Sequence, residues 1–517
     1  MARYKHYDYG QKKLLAVSFE QQILPGTFEY TLHRMIEEHI DLSVFDSQYH
    51  NDETGAPAYD PGILLKIVLY AYSKGITSSR EIAQLCQDNV MFMALSADNA
   101  PHFTTIADFI SRQQDEIVSI FRDVVLVCDE QGLIGKQMFA VDGVKLPSNA
   151  SKEWSGTLAE FENKALKLEQ ALQKLVQRHR ELDAQSEDVD LRTARAQRID
   201  TLKLALDKVR GYLQCGQDKI GAKGKIKKSN ITDNDSAKIK GSKGVIQGYS
   251  AMALVDAKHQ VIVHAQAFGE SQEHGLLIPM LEGAHETYRE LNLSQDVLKG
   301  VKLAADAGLH SEVNLKYLAE HEIDGYIADT QFRKRDIRFS DAARHKPKLS
   351  APDQPNKPDR WFAPKDFQLG ENYAYCICPA GKRLYRNGGN CRINGYHVIK
   401  FQSAKRDCQN CPLRVRCLRR PNVSETRQVH FFVERLHKVA SPKKHCAHMR
   451  EKIDSEEGRY QYSRRLAIVE PVFGNICNSH KLRRLSLRGR RKASNQWLLY
   501  GLVHNIGKIQ RYGYLGA

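Results

Sequence analysis

Three acids of the 517-residue chain, Asp142, Asp306 and Glu470, stand where metal-dependent chemistry on a phosphodiester could be built. Cutting such a bond needs a nucleophile activated at neutral pH and a stabilised leaving oxygen, and two divalent ions about 4 Å apart supply both. Carboxylates hold such ions, and hard oxygen ligands favour Mg2+ or Mn2+ over zinc. Each acid alone says little, because an Asp that follows a strand more often closes a turn or caps a helix. Their combination carries the reading.

A second set consists of thiols. Cys408, Cys411 and Cys417 form C-x2-C-x5-C, and Cys378 in CICPAGK is the expected fourth thiolate, with Cys376 or Cys391 as alternatives. Four thiolates leave no position for water, which is the pattern of a structural zinc site, although an iron–sulfur cluster uses the same donors. Six of the eleven cysteines fall in this window, whereas a secreted disulfide framework would spread them along the chain. If zinc folds the segment, Arg414, Arg416, Arg419 and Arg420 are expected to be presented towards DNA.

The third set is basic. A net charge of +16 favours a polyanionic partner, because clustered Lys and Arg release counterions when they neutralise phosphates. After Glu470 the last 47 residues hold nine Lys or Arg and no acid. Arg464, Arg465 and Lys481 are candidate phosphate contacts, and so are Arg483, Arg484, Arg488, Arg490 and Arg491 within that one-signed tail.

The elements that must position these groups follow from hydrophobic periodicity. From Phe28 to about Leu133 apolar residues recur at three and four spacing, so residues 1–133 read as an N-terminal helical domain, with DNA reading as its expected role. Ser78 with Glu81 and Thr105 with Asp108 mark two helix starts. At Gln137 the period changes, and QMFAVDG is a strand ending at Asp142, the first part of a core over 134–156. Phe161, Ala165, Leu168, Leu172, Leu175, His179 and Leu182 step by four and three, a coiled-coil seam that Ile199, Leu202, Leu206, Val209 and Leu213 repeat. Residues 157–218 are therefore expected to be an inserted helical hairpin.

The Lys- and Gly-rich run from Lys219 to Lys243 reads as a mobile connector or one ordered by a polyanion. GYSAMALVD and QVIVHAQAF suggest a strand hairpin, VKLAADAGLHS a strand ending at Asp306, VNLKYLAEH a helix and GYIAD a further strand, so the core continues over 219–332. Residues 333–440 form a cysteine-rich insertion. RRLAIVEPVFGNI, in the closing 441–517 segment, is helical, with Pro471 placing Glu470 at a kink or at a helix start. The fold class is α/β with a mixed sheet. No apolar run is long enough for a bilayer, and the start, MARYKHYDYGQKK, is followed by no apolar stretch, so a cytoplasmic location without membrane contact is expected.

VDGVKLPSNASK around Asp142, GSKGVIQGY, LAADAGLHS around Asp306 and RRLAIVEPVFGNI around Glu470 resemble, in order, the bacterial insertion-sequence transposases of the DDE class, closest within it to the insertion-sequence eleven-eighty-two group. PAYDPGILLKIVLYAYSKGITSSREI resembles their amino-terminal helical region. The resemblance implies an RNase H-like catalytic core in which Asp142, Asp306 and Glu470 ligate Mg2+ or Mn2+. It also implies cleavage at the terminal inverted repeats of double-stranded transposon DNA, strand transfer into target DNA, and at least a homodimer near the bacterial nucleoid to hold two ends together. Tyr462, Arg465, Glu470 and Lys481 depart from the spacing of the Tyr, Arg, Glu and Lys series that related enzymes carry. The competing readings are a catalytically silent DNA-binding protein and an RNase H-like nuclease that cuts without joining.

Overall fold

A computed structural model describes residues 17–48, 57–183, 189–220, 224, 226–241, 244–291, 293, 297–339, 361–388, 391–393, 396–435 and 444–515. The chain forms two compact units, Met1–Arg335 with His445–Ala517, and Asp336–Lys444.

The first unit begins with six helices: α1 (Phe28–Glu38), α2 (Pro61–Ser73), α3 (Ser79–Asp88), α4 (Val90–Leu95), α5 (Phe103–Arg112) and α6 (Gln114–Glu130). Ser78 caps α3 as expected, its hydroxyl accepting from the Glu81 N–H. The start expected at Thr105 lies earlier, because the His102 ring accepts from the Thr104 N–H and opens α5 at Phe103. Then come β1 (Met138–Pro147), α7 (Leu158–Asp183), α8 (Val189–Cys215), β2 (Ala237–Gly241), β3 (Gly244–Asp256), β4 (Ile262–Phe268), α9 (Leu277–Glu290), β5 (Lys302–Ala305), α10 (Glu312–Glu320) and β6 (Asp324–Ile327). After the second unit the chain returns with α11 (Lys444–Asp454), α12 (Glu456–Gly474) and α13 (Arg490–Tyr512).

The sheet runs β6–β5–β1–β3, and β2 and β4 both pair with β3. Strands β1, β5 and β6 are parallel, while β3 is antiparallel to β1, β2 and β4. The hairpin of β3 and β4 and the strand ending before Asp306 therefore stand where the alternation of apolar residues put them, whereas β1, expected to end at Asp142, runs on to Pro147 because residues 143–147 stay paired with β3. The connector does not behave as one mobile segment: it contains β2, and its Asp233 is buried, accepting from the Tyr249 hydroxyl at 2.8 Å and the Gly489 N–H at 3.1 Å.

The inserted hairpin forms as α7 and α8. Phe161 and Ala165 of α7 pack with Leu206 and Val209 of α8 in a small core of their own, and Leu168 and Leu172 lean against it. His179 lies half-buried on α7.

The helices of 28–130, expected as a separate domain, instead share one hydrophobic core with the sheet. Helix α2 is apolar nearly all round, and such a helix must be buried on every side. The expected basic tail is corrected in the same way. Most of α13 is buried, and its charges are confined to its two ends. Its Asn505 brackets Ile262 of β4, accepting from the N–H at 2.9 Å and donating to the carbonyl at 2.8 Å. Ser494 does the same at Ala267, so side chains of α13 satisfy edge groups of β4 that would otherwise invite another strand. Among the described residues no helix is long and apolar enough to cross a membrane.

The second unit is an antiparallel sheet of β7 (Gln368–Leu369), β8 (Tyr375–Ile377), β9 (Arg383–Arg386), β10 (Cys391–Ile393), β11 (Tyr396–Ser403) and β12 (Gln428–Arg435), ordered β7–β8–β9–β11–β10 with β12 also paired to β11.

Candidate active site

Strands β1 and β5 lie side by side in parallel register, Val141 opposite Ala305, so the next residues, Asp142 and Asp306, meet across the strands. The site lies at the carboxyl end of β5, where ligands of α/β sheets gather, while β1 runs on beside β3 to Pro147. Gly143, directly after the first acid, makes room for Met252 of β3: a Cβ there would stand 2.3 Å from its sulfur, which would have to move aside. Asp142 turns one oxygen to the Gly143 N–H at 2.8 Å. Asp306 caps the short turn Ala307–Leu309, its Oδ2 accepting from the Gly308 N–H at 3.2 Å.

Arg465 of α12 joins the two acids. Its guanidinium is bonded to Asp142 and lies 3.3 Å from Oδ1 of Asp306, with side-chain exposures of 11% for Arg465, 22% for Asp142 and 40% for Asp306. Tyr462, one helical turn earlier, sets its ring 5.9 Å from that guanidinium and rests edge-on against Phe332. Burial pushes the Asp142 carboxyl up to about 6, against the pull of Arg465 and the Gly143 N–H and with the help of the Asp306 and Glu273 charges.

Glu273, which the sequence reading passed over, belongs to the same cluster. A Cβ built on Gly308 would lie 3.1 Å from an oxygen of Glu273 and 3.5 Å from one of Asp306, and Lys145 of β1 pairs with Glu273 at 3.4 Å. It sits in a connection with no periodicity to mark it, four residues before α9. The only signal was an acid between two predicted elements.

Glu470 lies on α12 and is exposed. Five residues after Arg465 it is turned about 140° around the helix from the side chain that meets the aspartates, and it makes no hydrogen bond or ion pair with a described residue. As placed, no three His, Cys, Asp or Glu side chains among the described residues surround one point closely enough to hold an ion. The donor chemistry of Asp142 and Asp306 fits a hard divalent cation, and the guanidinium between them shows that the position accommodates positive charge.

Pro471 neither starts nor breaks the helix. It lies in the last turn of α12, before the wider turn Asn475–Ser479. The proline has no N–H for the Ala467 carbonyl, and the side chain of Gln260, at the β3–β4 turn, donates to that oxygen at 3.1 Å instead.

The basic candidates divide by surroundings. Arg464 lines a cleft of about 530 Å3 at the amino end of β1, with Met138, Lys258 and Lys302. Arg484 and Arg488 bind the loop after β1, donating to Ser148 and Asn149. Arg491 pairs with Asp115 at 2.9 Å. Lys481, Arg483 and Arg490 are exposed, with no ion pair to a described residue.

In the second unit Cys378, Cys408, Cys411 and Cys417 line one cavity. Arg414, expected to face DNA, is spent on backbone carbonyls of Cys408, Pro421 and Ser424. Arg416 stacks over Phe362 at 5.0 Å, while Arg419 and Arg420 are exposed.

Comparison with curated proteins and with solved structures gives no match. Two family models do match: residues 17–112 fit a transposase domain (DUF772), and residues 377–510 fit a transposase DDE domain. The second match contains Glu470 and the four cysteines, while Asp142 and Asp306 lie outside both. Over these two stretches, which together make up less than half of the chain, it is similar to transposase families.

Proposed function

We propose that the chain is a DNA transposase that cuts at the ends of an insertion sequence and joins the freed 3′-hydroxyls to target DNA, using Asp142, Asp306 and a third carboxylate. The observation that carries this is the meeting of Asp142, midway along β1, with Asp306, just past the end of β5, around a buried guanidinium. An RNase H-like core is part of the reading. Three antiparallel strands, β1, β3 and β4, stand on one side, and two parallel strands, β5 and β6, continue beyond β1.

A divalent ion bound there would supply Lewis acidity and an activated nucleophile. Asp142 and Asp306 would hold it, and Arg465 would give up its place between them and turn to a DNA phosphate. Glu470 is the third ligand by resemblance, reached through rearrangement of α12 at Pro471 and the wide turn beyond it. Glu273 is the carboxylate already beside Asp306. Lys481, Arg483 and Arg490 are free to neutralise phosphates, and end pairing calls for at least a dimer on DNA.

The test is incubation of the full chain with duplexes carrying the element's own ends, target DNA and Mg2+ or Mn2+. Wild type is expected to nick at the end and to yield joined products, and Asp142→Asn or Asp306→Asn to do neither. Cleavage that persists in both variants overturns the site. Cleavage without joining favours the simple nuclease.

A further inference from the structure

The Asp336–Lys444 unit buries few large side chains. Phe367, Cys376, Leu384, Ile399, Phe401 and Val429 make up its core among the described residues. When a core is too small to hold a unit folded by itself, a metal or a disulfide commonly serves as the staple. All the cysteines are free thiols, so no disulfide supplies one.

The four thiols that line one cavity come from two short pieces of backbone. Cys378 sits in the turn between β8 and β9, and Cys408, Cys411 and Cys417 sit in and around the helical turns Lys405–Gln409 and Arg414–Cys417. The cavity is about 30 Å3, room for an ion or a water molecule and too small for an organic ligand. The Cys378 turn is shaped around its sulfur. The Lys382 N–H points at Sγ from 3.3 Å, and the turn is closed by Cys378 N–H to Lys382 at 2.9 Å and Gly381 N–H to Cys378 at 2.8 Å. Gly381, at φ +73°, takes the left-handed conformation this needs. On the other arm the Ser403 hydroxyl lies 2.9 Å from the Cys408 sulfur. Arg414 and Arg427 are fastened to the carbonyls of Cys408 and Cys417, which puts two cations beside the thiols.

Those features set an N–H donor and two guanidinium groups where they would offset the charge of sulfurs gathered around a cation. They also choose among the cysteines. Cys376 is packed into the unit's apolar core, and Cys391 lies on β10 opposite Val398, outside the cavity lining.

We infer that Cys378, Cys408, Cys411 and Cys417 bind one zinc ion, and that this ion holds the Asp336–Lys444 unit folded. The thiols rotate onto the ion as it binds, since as placed they do not yet enclose it. Up to four S–H protons leave as Zn2+ enters, and Arg414 and Arg427 offset the resulting excess negative charge. This inference is independent of the transposition chemistry.

Metal analysis of the full chain, purified reduced and without added metal, tests it. About one zinc per chain is expected, with loss of zinc in Cys378→Ser and Cys411→Ser and retention in Cys391→Ser. Should the first two variants be insoluble, mercurial titration of wild type is expected to release one zinc as about four thiols react. Chelation should expose residues 361–435 to protease before the rest. Zinc-free protein, iron with inorganic sulfide, or zinc retained in Cys378→Ser and Cys411→Ser overturns the inference.

Discussion

Arg465 and Asp142 hold each other in an arrangement that a divalent ion ligated by Asp142 would have to undo. The Asp142 carboxyl is raised above its ordinary value to about 6, chiefly by burial, so the ion-free fold gains stability in acid and loses it as pH rises through that value. A bound cation has the opposite need. Calorimetric Mn2+ affinity is therefore expected to climb with pH up to about 6 and level off above it. Arg465→Met removes the competing guanidinium, and at alkaline pH Mn2+ binding should tighten on the order of tenfold while DNA cleavage falls. Weaker binding in that variant would show that Arg465 orders the carboxylates rather than occupying the cation's place. Asp142 and Asp306 were legible because each follows an apolar run. The contacts that Arg465 and Glu273 make were not, because pairings between residues far apart in the chain leave no periodic trace.

Strands and the inserted hairpin were the most readable elements, since period 2 and the seam of α7 and α8 depend only on local spacing. Phe161 is fully buried in that seam against Tyr212, with ring centroids 5.2 Å apart. Phe161→Ala is expected to cost the hairpin about 3–5 kcal/mol, seen as faster hydrogen exchange over 158–215 with the sheet protected. The start of α11 is fixed from a distance. Burial works against ionisation of Glu312, but the N–H groups of Cys446 and His445 and the His445 ring outweigh it and hold the carboxyl down to about 2. Its contribution is present above the ordinary carboxylate range and is lost as pH falls towards 2. Glu312→Gln should flatten that part of the acid-unfolding curve. The connector strand β2 and the burial of α13 were hidden because both depend on partners elsewhere: Asp233 on Tyr249 and Gly489, and Asn505 on β4.

Across the whole molecule, the charge excess favours a polyanion without saying where it would sit. The +16 excess is real, but Arg414, Arg484 and Arg488 are tied to backbone or side-chain oxygens, which sequence cannot distinguish from open phosphate sites. Lys481, Arg483 and Arg490 are the open ones. Replacing each by Ala should weaken DNA binding on any sequence and reduce the slope of log affinity against log salt by about 1, as read by fluorescence anisotropy. An unchanged slope would place DNA elsewhere. The N-terminal helices matched the transposase domain but share their core with the sheet, so truncating them is expected to unfold the first unit rather than to release a DNA reader.

If Asp306 ligates the catalytic ion as proposed, Asp306→Cys changes a hard ligand to a soft one. End cleavage by this variant should fall at least about a hundredfold in Mg2+ and recover in part in Mn2+, which accepts sulfur more readily. Undiminished cleavage in Mg2+ would show that Asp306 holds no catalytic ion.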